Sequence, residues 1–317
     1  MTPEAERDAE AGEPSAEAIT SELWGRTARE HIETDDWRFF YWQSHPLTAR
    51  HINRLITGSE NESWLPFTKR RFFPEPVRGG LSLGCGDGGV EREAIGLEIC
   101  AEVDGLDISQ EALDAAAKEA ERLGLGKRIR YRQADLNDVR LKSDAYDVAF
   151  VVQALHHVDA LEHLLDQVAA SLLPGGLFVV NEYIGPARFQ WLDKTEALMN
   201  RILELLPHEY KVNPKNGFVK DRMDRAPAEE IARVDPSESI RSDEIPALLE
   251  SRFDVLYRAD FGGTLLQFLL ADIAANFKED DPKDVALIGL MSLLEEVLIV
   301  ERVLPSDFAF FVLSPRR

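Results

Sequence analysis

From about residue 77 to residue 184, short apolar runs alternate with longer stretches whose apolar positions recur every three or four residues. Runs ending at Leu83, spanning Glu102–Ile108, Ile129–Gln133 and Tyr146–Val152, and spanning Leu177–Glu182 predict five strands. Between them, Val90–Ile95, a stretch begun by Ser109 and closed by Gly124, and Ala160–Leu172 predict helices. Strands that alternate with helices predict a parallel sheet covered on both faces. Ser21 to Gly58 reads as helical and unusually aromatic, with a break at His45-Pro46, and Trp64–Phe73 as a short helix. Beyond the fifth strand the pattern predicts a helix over 188–206, a loop-rich cap over 207–235 and a helix over 242–251. A sixth strand (Phe253–Tyr257), two helices (264–277 and 283–303) and a seventh, antiparallel strand (307–314) complete the chain. The fold class expected is α/β: a seven-stranded, mostly parallel, Rossmann-like sheet with an N-terminal helical lid and helical insertions after strands five and six. The units expected are a tail (1–18) without regular structure, a lid (19–77), a core (78–184), a cap (185–241) and a C-terminal unit (242–317).

Candidate chemistry gathers at the predicted strand ends. Leu81-Ser82-Leu83-Gly84-Cys85-Gly86-Asp87-Gly88-Gly89 is a strand, a glycine turn and a helix start. Such a turn lets a ligand approach the backbone, and the helix start offers free N–H groups. Gly84, Gly86 and Gly89 fit the dinucleotide pattern G-x-G-x-x-G, while Gly84, Gly86 and Gly88 fit G-x-G-x-G. Asp107, at the end of the second strand, is placed to accept ribose hydroxyls, and Asp135 an adenine amino group.

Together with Gly105-Leu106-Asp107-Ile108-Ser109, Ala134-Asp135, Tyr146-Asp147-Val148, Ala154-Leu155-His156-His157-Val158 and Leu173-Pro174-Gly175-Gly176, this stretch resembles the class I S-adenosylmethionine-dependent methyltransferases, in their order and spacing. The resemblance implies S-adenosyl-L-methionine as cofactor and S-adenosyl-L-homocysteine as product. It implies cofactor contacts from Gly84, Cys85, Gly86, Asp87, Gly88, Asp107, Ile108, Asp135, Leu136 and Gln153. Ser82 departs from the family, which often has an acid there to help hold the methionine amino group. The long segment after the fifth strand resembles methyltransferases of bacterial glycan or secondary-metabolite clusters, so the expected acceptor is a small molecule or glycan and the expected atom oxygen. His157 and His156, where the family faces the methyl group, and Glu182, at the end of the fifth strand, are the candidate bases. Tyr183, Trp37, Tyr41, His208 and Arg241 are candidates for binding the acceptor. Two alternatives stay open: a cofactor-binding scaffold without turnover, and a nicotinamide oxidoreductase, which would need neither Asp135 nor the Pro-Gly-Gly turn.

Composition narrows the partners. The 317 residues carry a formal net charge of −21, which repels phosphate backbones and anionic membranes. Two cysteines, Cys85 and Cys100, show no metal-ligand spacing, so no metal is expected, and both fit a reduced, cytoplasmic protein. The most apolar stretch, 285–304, contains Glu295, Glu296 and Glu301; its helical apolar spacing marks a buried or interface face, compatible with a homodimer, and not a membrane span.

Overall fold

The structure, a computed structural model, describes residues 15–34 and 41–316. Its strands are β1 (Val77–Leu83), β2 (Cys100–Asp107), β3 (Ile129–Gln133), β4 (Tyr146–Val152), β5 (Leu172–Tyr183), β6 (Phe253–Gly262) and β7 (Phe308–Pro315). They form one sheet in the order β3-β2-β1-β4-β5-β7-β6, in which β7 runs antiparallel to both of its neighbours. The strand order reverses between β1 and β4, and in open α/β sheets ligands bind beyond the carboxyl ends of the strands at that crevice.

Before the sheet come α1 (Ala16–Glu33), α2 (Pro46–Thr57) and α3 (Trp64–Phe72). Within its first half lie α4 (Gly89–Gly96), α5 (Gln110–Arg122) and α6 (Leu161–Ser171). Between β5 and β6 lie α7 (Asp193–Leu205), α8 (His208–Lys211), α9 (Ala228–Val234) and α10 (Ile245–Arg252). Finally α11 (Leu266–Leu270) and α12 (Pro282–Val300) lie between β6 and β7.

The central strands read as continuous apolar runs because both of their faces are buried. On β4, Val148 and Phe150 enter one core, while Ala149 and Val151 enter the other. β7 does the same with Phe308, Phe310 and Val312 against Ala309, Phe311 and Leu313. The edge strand β6 carries Asp254, Arg258 and Asp260 along its exposed middle, charges that discourage pairing with another sheet.

Several elements differ from the sequence expectation, among them β6, which runs on to Gly262, and α7, which begins only at Asp193. Ser15 caps α1, which begins at Ala16, inside the stretch expected to lack structure. β5 starts at Leu172, ahead of the expected Leu177, because Leu172 already pairs with Tyr146; Leu173 to Gly176 then turn out of the ladder, with Gly175 at φ +84°, and pairing resumes at Leu177. The helix expected over 264–277 shortens to α11 and a 3-10 turn at Ala274–Asn276, separated by Asp272 at φ +66°. Its start is fixed by the buried Glu295 carboxylate, which accepts the N–H groups of Gly263, Leu265 and Leu266.

Candidate active site

The glycine turn joins β1 to α4 with Gly84, Gly86 and Gly88 all at positive φ. A Cβ on Gly84 would overlap the Cβ of Ala154, so the turn packs directly on the end of β4. Gly86 has open space where its Cβ would be, and its N–H donates to Asp107 Oδ2 at 2.8 Å. Asp107 Oδ1 accepts from Ser109 N at 2.9 Å, so one buried carboxylate ties the turn to the cap of α5. Burial raises the Asp107 pKa, and the N–H groups of Ser109, Gly86 and Ile108 offset part of that rise. Asp135 Oδ1 accepts both Asn137 N–H groups, and Asn137 Oδ1 in turn accepts Asp159 N and Ala160 N; this bridges the ends of β3 and β4. Gln153 ends β4 at φ +52° and is bonded to Asn181.

Beneath the turn, α4 buries Glu91 completely. Neither carboxyl oxygen has a hydrogen-bond partner of normal geometry among the described residues. Burial pushes its pKa up to about 7, with the Ser82 hydroxyl the main relief. A carboxyl group therefore does stand beside Ser82, delivered by the following helix.

A second cluster forms where the Leu155–His157 turn meets residues 235–240. Glu182 is fully buried and accepts the N–H groups of Ala154 (2.9 Å), Leu155 (2.7 Å) and Tyr183 (2.8 Å), and bonds His156 Nδ1. Across a 3.6 Å gap, His156 Nε2 faces Glu238 Oε1. The His157 ring lies 4.1 Å from that of His156, and its Nδ1 meets Ser237 Oγ at 3.0 Å, with Asp235 Oδ2 at 3.7 Å. Its Nε2 is buried without a partner among the described residues. Burial alone would pull His156 down, but the charge and hydrogen bond of Glu182, then Glu238 and Asp235, more than reverse it, so its pKa lies above the usual imidazole value. Burial and the neighbouring His156 and Arg188 hold His157 well below that value. Arg188 secures the loop by donating to the carbonyls of Pro236 (2.7 Å) and Glu238 (2.8 Å), and Ile240 N donates to His156 O at 3.0 Å.

The N-terminal helix spans both clusters. Gly25 lies so close to Ser109 and Glu111 that a Cβ would meet their side chains, and Arg29 pairs with Glu111 at 2.7 Å. On the other side, Thr20 Oγ1 and Trp24 Nε1 donate to Asp235 at 3.0 and 3.2 Å, and the Trp24 ring stands edge-on to His157. Thus α1 bridges the Asp107 turn and the histidine turn.

Residues 81–180 match the family model of a methyltransferase domain. They form a class I S-adenosylmethionine-dependent methyltransferase domain. Its cofactor is S-adenosylmethionine. Among similar sequences, a sterol 24-C-methyltransferase of Gibberella zeae is 31% identical over 104 residues, covering 33% of this chain and 27% of that protein. A 27-O-demethylrifamycin SV methyltransferase of Amycolatopsis mediterranei is 27% identical over 114 residues, covering 34% and 41%. The chain thus aligns with less than half the length of either relative. The solved structure of the [4+2]-cyclase SpnF superposes with a TM-score of 0.52 at 14% identity, over 96% of this chain and 98% of that one, which shows a shared fold.

The remaining expected residues fall into two groups. Cys85, Asp87, Ile108 and Leu136 lie at or beside the glycine turn and the ends of β2 and β3, and burial with nearby Glu91 and Asp107 raises the Cys85 thiol. Tyr41 keeps 39% of its surface exposed, and its phenol is raised by desolvation and by the carboxylates of Glu238 and Glu182. Of the others, Glu182, Tyr183 and Arg241 are committed to partners within the chain. Glu182 has its oxygens committed to backbone N–H groups and His156, so it supports the histidine turn and has no free lone pair for an acceptor. Tyr183 is buried between Phe189 and Phe308 and donates to Pro186 O. Arg241 forms its fork with Glu162 and Glu244, which leaves no free edge for an anion. His208 is exposed on α8. Trp37 lies outside the described residues. Sequence reasoning missed Trp24, Glu91, Asp235 and Glu238. Only the density of polar residues in Asp235-Pro236-Ser237-Glu238-Ser239 hinted at the last two.

Proposed function

We propose that this methyltransferase methylates a hydroxyl oxygen of a small-molecule acceptor, a class that includes glycans and polyketide-like alcohols. The observation that carries this reading is the junction, under α1, of the glycine turn with the half-buried His156–His157–Glu238 cluster. When bound, S-adenosylmethionine supplies a methyl carbon made electrophilic by its sulfonium. Gly86, with open space where a Cβ would be, would admit it, Asp107 and Asp135 would accept from its ribose and adenine, and the carboxyl of Glu91 stands beside Ser82. The chain's own residues then align the acceptor, exclude water beneath Trp24, and draw the hydroxyl proton into the imidazole–carboxylate cluster. Orientation is the largest contribution, since the reacting bond is already activated.

The rifamycin relative is named for methyl transfer to oxygen and the sterol relative for transfer to carbon, so both atoms occur among similar domains. A basic cluster is needed for a hydroxyl and not for an amine already deprotonated. The test is release of S-adenosylhomocysteine across matched alcohols, sugars, phenols and amines. Turnover with hydroxyl acceptors is expected; turnover confined to amines overturns the reading, and binding of cofactor with no turnover on any acceptor favours a scaffold. The outward Leu290, Leu293 and Val300 of α12 support a homodimer, which light scattering tests.

A further inference from the structure

The acceptor end of the crevice holds more than a proton-accepting pair. We propose that His156, His157 and Glu238 bind a divalent transition-metal ion of the zinc class, whose open coordination position takes the acceptor oxygen. This deepens the function proposed above and rests on it, because it says how the cluster handles the acceptor: with the ion bound, the imidazoles serve as ligands, the ion acidifies the acceptor hydroxyl, and its proton passes to the carboxylate oxygen of Glu238 that does not face the ion.

The donor set converges in space although it is split in sequence. A ring nitrogen of each histidine and a carboxylate oxygen of Glu238 all lie within 4.8 Å of one another. The 3.6 Å between His156 Nε2 and Glu238 Oε1 is too long for a hydrogen bond. It is close to the roughly 3.4 Å that separates ligands bound at about 2.1 Å around a tetrahedral ion.

Each imidazole is also arranged as ligands are. His156 gives Nδ1 to Glu182, whose carboxylate is itself fixed by three backbone N–H groups, so Nε2 is the nitrogen left to face Glu238. That is the carboxylate–histidine–metal relay that orients metal-bound imidazoles. His157 has Nδ1 against Ser237 Oγ at 3.0 Å, and its Nε2 is buried with no partner among the described residues. A buried orphan nitrogen costs stability unless something occupies it.

The neighbourhood attracts a cation. Glu182, Asp235 and Glu238 surround the two rings, with the Arg188 guanidinium turned to the loop carbonyls. Arg188 and the Ile240 N–H bond to His156 O staple the loop that carries Glu238 to the turn that carries both histidines. The site is therefore held together before any ion arrives. Two nitrogens and one oxygen favour zinc, cobalt, nickel or ferrous iron, whereas magnesium and calcium prefer oxygen donors throughout. Three protein ligands leave a position for an exogenous oxygen, as catalytic zinc sites do.

The experiment uses the full chain, stripped with a chelator and dialysed, then titrated with Co²⁺ and Zn²⁺. Visible absorption follows the Co²⁺ ligand field and calorimetry follows Zn²⁺. One ion per chain is expected, with tetrahedral-type Co²⁺ bands that Zn²⁺ displaces. Glu238→Gln and His157→Asn, each checked for folding by circular dichroism, are expected to weaken Zn²⁺ by at least about 100-fold. Glu182→Gln is expected to weaken it by about 10- to 100-fold through the loss of orientation. Absence of saturable binding, or binding unchanged in both Glu238→Gln and His157→Asn, overturns the proposal. Should His157→Asn not fold, Glu238→Gln, which alters only a loop carboxylate, decides alone. No metal binding together with intact hydroxyl methylation removes this inference and leaves the function standing; metal binding with no hydroxyl acceptor does the reverse.

Discussion

Glu91→Gln tests the buried carboxyl beneath the cofactor turn. Glu91 is fully buried, makes no hydrogen bond of normal geometry, and has its pKa pushed up from 4.5 to about 7. In the unfolded chain it titrates near the ordinary value. Because folding raises the pKa, the protonated group is tolerated below that ordinary value, and stability falls as pH climbs toward and through the folded pKa. A shift of this size corresponds to about 3 kcal/mol once the group is ionised in both states, of which about 2.5 kcal/mol is lost between about pH 5 and about pH 8. Glutamine keeps the shape and an unpartnered polar end but does not titrate. The variant should therefore gain about 2.5 kcal/mol on the wild type between those two pH values. Asp307, also pushed up to about 7, titrates in both proteins and cancels from the difference. Urea denaturation at the two pH values, followed by circular dichroism with m held common, reads it directly. A gap that changes by less than about 0.5 kcal/mol would refute the claim that Glu91 sits uncompensated in the core.

Other substitutions probe the site. Asp107→Ala removes a carboxylate that bonds Gly86 and Ser109, so S-adenosylmethionine should bind at least about tenfold more weakly by calorimetry, from charged hydrogen bonds of about 1.5–3 kcal/mol. Unchanged affinity would mean the cofactor does not use this turn. Gly84→Ala places a methyl against Ala154 at a positive φ, and a loss of about 2–4 kcal/mol in thermal or urea unfolding is expected. Glu182→Gln strands at least one donor of the histidine turn and should cost about 2–4 kcal/mol, a loss that a merely peripheral carboxylate would not show. Trp24→Phe keeps the ring beside His157 but drops the bond to Asp235, and stopped-flow should show faster cofactor release if α1 closes over the cofactor.

Much of the core was written locally. The run over β4 was legible because a strand buried on both faces must be continuously apolar, and β3, an edge strand with charged residues facing solvent, was bounded by its flanking turns. The glycine turn and the acids at the ends of β2 and β3 were legible because only certain residues fit a tight turn or a strand end. Local pattern failed where partners come from afar. The helix expected over 264–277 is broken because its leucines are buried on all sides and its first turn is capped by Glu295, about thirty residues later in the chain. Arg241 had the chemistry of an anion clamp, yet Glu162, from α6, already holds it.

The amino-acid order by itself determined the central strands, the glycine turn and the acids at the strand ends, because those features depend on neighbours in sequence. The tertiary structure alone decided that Trp24, His156, His157, Asp235 and Glu238 meet, and that the buried Glu91 stands beside Ser82. Hydrogen bonds and ring contacts reaching across more than eighty residues cannot be read from periodicity, since each depends on how the loop after α9 and the helix before the sheet fold back over the same rim.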